Sequence, residues 1–301
     1  MKKSTKIWLV AATSLAAIGV LMFAGVMTAY HWDFSRLSTD HFETNTYEIS
    51  EEFSSIKMNT ETADILFAAS DDNTCRVVCY EDENMKHSAS VHNGTLTVKA
   101  VDDRAWYEHI GISFHSPRIT VYLPKAEYAS IAVEASTGDI EISDEIRIDT
   151  AGISLSTGDI KIRNMSADIL DLSVTTGEIV LSDVTCTGNI IANTATGDVK
   201  AVNTECRNFI SNGSTSDVSL KNVIASEKIS LERSTGDVKF DSSDAGEISV
   251  KTSTGDVRGS LLTEKVFITD TSTGDISVPK TTAGGKCEIS TSTGDIDIEV
   301  D

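Results

Sequence analysis

The sequence predicts an all-β fold, a single-stranded right-handed β-helix or solenoid with rungs of about 20 residues, preceded by one N-terminal transmembrane helix. Three observations carry that expectation. A five-residue phrase, STGD followed by Ile or Val, returns at a near-constant interval from Ser136 onward. Apolar residues alternate with polar ones on both sides of each copy, and the first thirty residues hold no acidic side chain.

In chain order, Lys2, Lys3 and Lys6 come first, followed by the uncharged run Ile7–Tyr30 with Trp8 and Trp32 near its ends. As a helix, that run is about 36 Å long, enough for a bilayer core of roughly 30 Å. The basic flank stays in the cytoplasm, so residues 1–32 are expected to be a cytoplasmic stub and signal anchor. The rest of the chain would then stand outside a bacterial cell membrane as the C-terminal part of a single-pass protein. A cleaved signal peptide is the competing reading, although its apolar core usually runs about 7–15 residues. No cysteine lies near the segment to carry a lipid.

Residues 33–130 read as irregular first coils and a cap. TETADILFAAS, around Asp64–Ile65, looks like a degenerate corner of the later repeat. Asn93–Gly94 between two alternating segments signals a hairpin turn, and RITVYLP (Arg118–Pro124) is a further strand. Between them, Asp102–Ser116 breaks the alternation. Its Trp106, Tyr107, His109, Phe114 and His115 form either a plug for the open end of a solenoid or a contact patch for a partner.

Residues 131–301 hold the regular rungs. Gly138, Gly158, Gly177, Gly197, Ser216, Gly236, Gly255, Gly274 and Gly294 recur at intervals of 19 or 20, each preceded by threonine. Two positions later stand only Ile or Val, from Ile140 through Val199 and Val257 to Ile296. Alternation of period two marks strands with one buried face, and glycine supplies a corner with φ > 0. Leucine-rich repeats have a similar period, but their leucine framework is missing. The chain ends on TGDIDIEVD with no wall-sorting motif. Asp297, Glu299 and Asp301 are expected to protect that strand as an exposed edge.

Three residue sets are candidates for chemistry. The acidic column Asp139, Asp159, Glu178, Asp198, Asp217, Asp237, Asp256, Asp275 and Asp295 would stack at about 4.8 Å, close enough to share Ca²⁺. Against this stand Lys161, Lys200, Lys239 and Arg258 on the same outward face, so a locally hydrogen-bonded turn carboxylate is the favoured reading and no cofactor is expected. Cys186 and Cys206 share one inward column and would lie within disulfide range on the oxidising side of the membrane. Cys75 and Cys79 are too far apart along one strand to bridge, and the cysteine and histidine spacing suits no zinc motif.

Catalysis finds little support. His31, His41, His87, His92, His109 and His115 all precede the regular rungs, which therefore hold no imidazole base. The exported part is three units more negative than the −21 of the whole chain, which excludes nucleic acid as a partner.

An N-terminal anchor, RITVYLPKAEYASIAVEASTGDIEI and the train of STGD[IV] rungs together resemble the toastrack-type, LiaG-like family of bacterial putative adhesins, over residues 45–301 or so. The resemblance implies a β-strand-repeat protein of the Gram-positive envelope, associated with envelope-stress signalling, and it supplies no catalytic residues. The resulting expectation is a non-catalytic extracytoplasmic solenoid for adhesion, sensing or scaffolding, its partner an envelope protein or glycan. A divalent-cation- or glycan-binding module on the acidic flank is the alternative, and a polysaccharide-active enzyme the third reading.

Overall fold

The computed structural model describes residues 3–33, 41–102 and 116–301. It contains two units, a helix and a β-body, each taken by itself. The helix α1 (Lys3–Ala29) runs 27 residues, and its Thr5–Ala29 stretch is long and apolar enough to cross a membrane, as an anchor or a signal segment would be. Its hydroxyls are turned back on the helix, Thr13 Oγ1 donating to Leu9 O and Thr28 Oγ1 to Ala24 O at 2.7 Å. An apolar surround requires that of any hydroxyl it contains.

The β-body is one 21-stranded ladder. It opens with β1 (Phe42–Ile49), β2 (Ser55–Thr62), β3 (Asp64–Ala69), β4 (Cys75–Asp82), β5 (Met85–His92), β6 (Thr95–Asp102) and β7 (Arg118–Leu123). The glycine-cornered rungs begin with β8 (Glu127–Thr137), β9 (Ile140–Ile142), β10 (Ile146–Thr157) and β11 (Ile160–Thr176). They continue through β12 (Ile179–Cys186), β13 (Asn189–Thr196), β14 (Val199–Thr215), β15 (Val218–Thr235) and β16 (Val238–Lys251). The last are β17 (Val257–Leu261), β18 (Lys265–Thr273), β19 (Ile276–Ser277), β20 (Gly285–Thr293) and β21 (Ile296–Val300).

Like residues stack on like, as a solenoid requires. Ile160 pairs with Ile179, Ile179 with Val199, Val199 with Val218 and Val218 with Val238, all in parallel. These columns, with Phe67, Phe209 and Phe240 among the largest fully buried side chains, make a single core running through the stack. The degenerate corner also falls into register: Thr62 pairs with Thr137 and Ile65 with Ile140. Asn93 (φ 49°) and Gly94 (φ 72°) turn β5 into antiparallel β6, as their dipeptide predicts.

The glycine column has a steric cause beyond its φ of 121–151°. A Cβ on Gly158 would stand 2.1 Å from Gly138 O, one on Gly177 1.9 Å from Gly158 O, and one on Gly197 2.2 Å from Gly177 O. The alternation of 19 and 20 residues also has a place in the structure. Cys206 faces Ala225, 19 residues on, whereas Asn208 faces Lys228, 20 on, so a bulge at that bend absorbs the extra residue.

The order of rungs at each end differs from the order in sequence. At one end β6 and β7 stack outside β2 and β3, and β8 and β9 return to their inner side. Antiparallel β5 and β4 then cover β6 and β7, with β1 beyond β4. At the other end β20 lies between β16 and β18, and β21 between β17 and β19. The strand expected as an edge is thus flanked on both sides at Ile296 and Asp297, whereas Glu299 pairs with β17 alone. Asp301 accepts hydrogen bonds at Oδ2 from Ser242 and Ser260, 3.0 Å each. Local alternation cannot report this, because every rung presents the same pattern to either neighbour. The edge is β18–β19, where Ile268 and Ile276 are exposed.

The outer rung is fixed by a buried pair. Lys265 Nζ lies 2.5 Å from Asp244 Oδ1, and Thr263 Oγ1 donates to Asp244 Oδ2 at 2.6 Å. Two changes test these supports by chemical denaturation of the full chain in detergent micelles. Gly197→Ala lowers stability by about 3 kcal/mol or more, since backbone must move to admit the methyl group. Lys265→Ala costs about 3 kcal/mol because it strands Asp244, whereas Lys265→Met with Asp244→Leu costs far less.

Candidate functional site

The acidic column is a hydrogen-bonded ladder. At most corners the carboxylate reaches the next corner's backbone, one rung away. Asp64 Oδ1 accepts from Asp139 N–H at 3.0 Å, Asp139 Oδ1 from Asp159 N–H at 2.9 Å, and Asp159 Oδ1 from Glu178 N–H at 2.9 Å. The series resumes with Asp198 to Asp217 (3.2 Å), Asp217 to Asp237 (2.8 Å) and Asp237 to Asp256 (2.8 Å). It then follows the spatial order of rungs, Asp256 to Asp295 (2.8 Å) and Asp295 to Asp275 (3.0 Å). Glu178, one methylene longer, instead meets Lys200 Nζ at 3.1 Å.

The second oxygens face the basic residues of the same flank. Lys161 Nζ lies 2.9 Å from Asp159 Oδ2, Lys200 Nζ 3.5 Å from Asp198 Oδ2, and Arg258 Nη2 2.6 Å from Asp256 Oδ2 and 3.4 Å from Asp295 Oδ2. Burial works to raise the Asp159 carboxyl, but the Glu178 amide and the Lys161 ammonium outweigh it and hold the group below its ordinary value. Among the described residues, this column brings no three carboxylates within 4.8 Å of one another.

Cys186 and Cys206 stand buried in neighbouring rungs of one inward column, and both are free thiols in this structure. Cys186 Sγ donates to Asp168 O at 3.1 Å, away from its neighbour. Burial pushes the Cys206 thiol up to about 12, which suppresses the thiolate that oxidation needs. Trp106, Tyr107, His109, Phe114 and His115 lie outside the described residues.

Two features escaped the sequence reading. Six residues after the glycine, Asn164, Asp183, Asn203, Asn222 and Ser242 take φ of 50–56°, a second left-handed corner. Asn203 Nδ2 donates to Asp183 Oδ1 at 2.9 Å and Asn222 Nδ2 to Asn203 Oδ1 at 3.0 Å. The recurring Asn/Asp at that offset was the signal, because these side chains tolerate the left-handed region. The second is a local set around Ser216, whose φ is not positive and whose Oγ is buried without a partner. Gly213 leaves room there for Arg233, a buried guanidinium donating through Nη1 to Glu232 O and through Nη2 to Ser211 Oγ. Burial lowers it to about 10.

On the flank before the glycine corner, Ser173, Thr175, Asn193, Asn212, Ser214 and Lys251 line an open groove of about 620 Å³. Its chemistry is hydroxyl and amide, suited to hydrogen bonding along the stack. In the β1–β4–β5 cap, Cys79, Glu81 and His87 are buried together. Glu81 Oε2 accepts from both the His87 backbone N–H and Nδ1 at 2.7 Å, and Oε1 accepts from Asn45 Nδ2 at 2.8 Å. Burial, and then the nearby Glu81, push the Cys79 thiol up to about 12.

The profile of a family described as Toastrack DUF4097 matches residues 53–194 and 184–301. Among solved structures, a putative adhesin from Bacteroides fragilis is similar to this chain at 15% identity, covering 87% of this chain and 99% of that one with a TM-score of 0.52. A putative lipid binding protein from Parabacteroides distasonis is 17% identical, covering 74% and 95% with a TM-score of 0.45. At these identities the likeness is one of fold. No curated protein matches the chain.

The ladder makes a prediction that separates geometry from charge. Asp237→Ala removes the acceptor of Asp256 N–H and costs about 1 kcal/mol in urea unfolding, whereas Asp237→Asn keeps an oxygen in place and costs less. A depressed carboxyl stabilises the fold above its unfolded-chain value, and that contribution is lost as pH falls through the folded value. The stability of Asp159→Asn therefore declines less than that of the parent below about pH 4, read from unfolding curves across acid pH.

Proposed function

The chain belongs to the Toastrack DUF4097 family, and from that premise we propose that it is a membrane-anchored, extracytoplasmic rod that works without catalysis, in cell-surface adhesion or in envelope-stress-associated sensing or scaffolding. The observation that carries this reading is the monotony of the flanks. Rung after rung presents the same short polar side chains, and the acidic residues are bonded into the ladder instead of opposed across a cleft as acid and base. The apolar helix supports anchoring, with its lysine-rich start on the cytoplasmic side. The description of the Bacteroides fragilis relative as a putative adhesin agrees with a surface role without specifying it.

A second reading, a glycan-binding flank, draws on the groove of Ser173, Asn193, Asn212 and Ser214. Binding of Ca²⁺ by the acidic column is disfavoured because its Oδ1 atoms are engaged with backbone amides.

Protease shaving of intact cells tests the placement: the β-body is digested from outside, while α1 remains in carbonate-washed membranes. Release of an intact β-body into the medium would show a cleaved leader. Photo-crosslinking groups at Thr175 and Ser214, compared with groups at Asp139 and Asp237, then report which flank meets a partner on intact cells. A recurrent protein adduct on one flank supports the scaffold, and a polysaccharide adduct at Thr175 supports the glycan reading. Turnover of an envelope polysaccharide by the purified chain overturns both.

A further inference from the structure

The cap cluster holds more ligand chemistry than its hydrogen bonds use. A ring nitrogen of His87, the Cys79 sulfur and a Glu81 oxygen all lie within 4.8 Å of one another, the one such group of three among the described residues. Cys79 and Glu81 are 0% exposed and His87 2%. Glu81 is well supplied with donors, but His87 Nε2 is buried with no hydrogen-bond partner, which is uncommon for a buried polar atom. The geometry points to a divalent metal site of the zinc class at this place, with Cys79 Sγ, a Glu81 carboxylate oxygen and a His87 ring nitrogen as its three protein ligands.

The donor set selects the ion. One thiolate, one imidazole and one carboxylate suit tetrahedral Zn²⁺, whereas Ca²⁺ and Mg²⁺ take six or more oxygens. Binding replaces the proton of the Cys79 thiol, and His87 offers Nε2, the ring nitrogen without a partner, while Nδ1 keeps its 2.7 Å contact with Glu81 Oε2. Asn45 Nδ2 on the other Glu81 oxygen keeps the carboxylate oriented, as outer partners do in metal sites. Tyr47, whose hydroxyl donates to His87 O, fixes the backbone of β5 from β1. The ion would join β4 to β5, and through Asn45 to β1, making the cap a metal-stapled lid on the stack. Sequence spacing did not reveal this, because a Cys-x-Glu-x5-His run across the β4–β5 turn matches no common zinc spacing.

The full chain, purified in detergent micelles and refolded with EDTA or with Co²⁺, tests the site. One equivalent of Co²⁺ is expected, with a thiolate-to-cobalt charge-transfer band that Zn²⁺ displaces, and the melting temperature should rise with Zn²⁺ but not with Mg²⁺ at matched ionic strength. Cys287→Ser, which removes a buried thiol elsewhere, should keep the band, and Cys79→Ser should lose it with at least about a tenfold weaker zinc affinity. If Cys79→Ser does not fold, X-ray absorption of the zinc-loaded parent decides: one sulfur near about 2.3 Å with nitrogen and oxygen neighbours is expected. A zinc shell of nitrogen and oxygen alone, no charge-transfer band in the parent, or a band that survives in Cys79→Ser would overturn the assignment.

Discussion

Everything in the β-body depends on how closely one glycine corner sits on the next. The carbonyl of each corner residue occupies the volume that a Cβ one rung away would need, at about 2 Å by the positions of Gly158, Gly177 and Gly197. That approach fixes the rung separation at the value parallel β-pairing requires. It also aligns the Ile/Val column behind it and brings each aspartate under the next amide. The nearly invariant glycine, the β-branched neighbour and the carboxylate are therefore three consequences of one distance. Ser216 is the informative exception: it keeps the inter-rung bond through its N–H to Thr235 O, 3.0 Å, but gives up the left-handed φ. Gly213 and Arg233 then depart from their columns beside it.

The ladder of aspartates reframes the acidity of the chain. A column of like charges on a stack is repulsive in isolation. From Asp139 to Asp295 each aspartate of the column other than Asp275 receives a backbone donor at Oδ1, and Lys161, Lys200 and Arg258 stand against Oδ2 atoms. The charge is thus retained at the surface, where it keeps a long β-structure soluble, while its geometry serves the corners. A flank built in this way offers a partner a repeating field, with little relief to grip at any one rung.

Much of this was legible in the sequence because a solenoid writes its geometry at a fixed period. The corner glycines, the inward Ile/Val, the Asp64 corner and the Asn93–Gly94 turn all follow from local chemistry repeated in register. The carboxylate column was legible as a column, but its bonds run to an amide one rung away and not within the same turn. What escaped depends on relations between distant segments. The left-handed Asn203 and Asn222 were hidden because their role emerges only when one rung's amide lies over the next. The placement of β20 inside β18 leaves no local trace.

The inverted order of the last rungs gives the β-body a mechanical property. A strand at the edge of a sheet can be peeled from its single neighbour one hydrogen bond at a time. β21 pairs with β17 along its whole length and with β19 at Ile296 and Asp297, so tension applied through it must shear one full ladder and the start of a second. The outer rung is held in turn by Lys265 on Asp244. Lengthening such a rod by duplicating a repeat is then open only between the two inverted ends, since a copy added outside them would break the fastening that resists the pull.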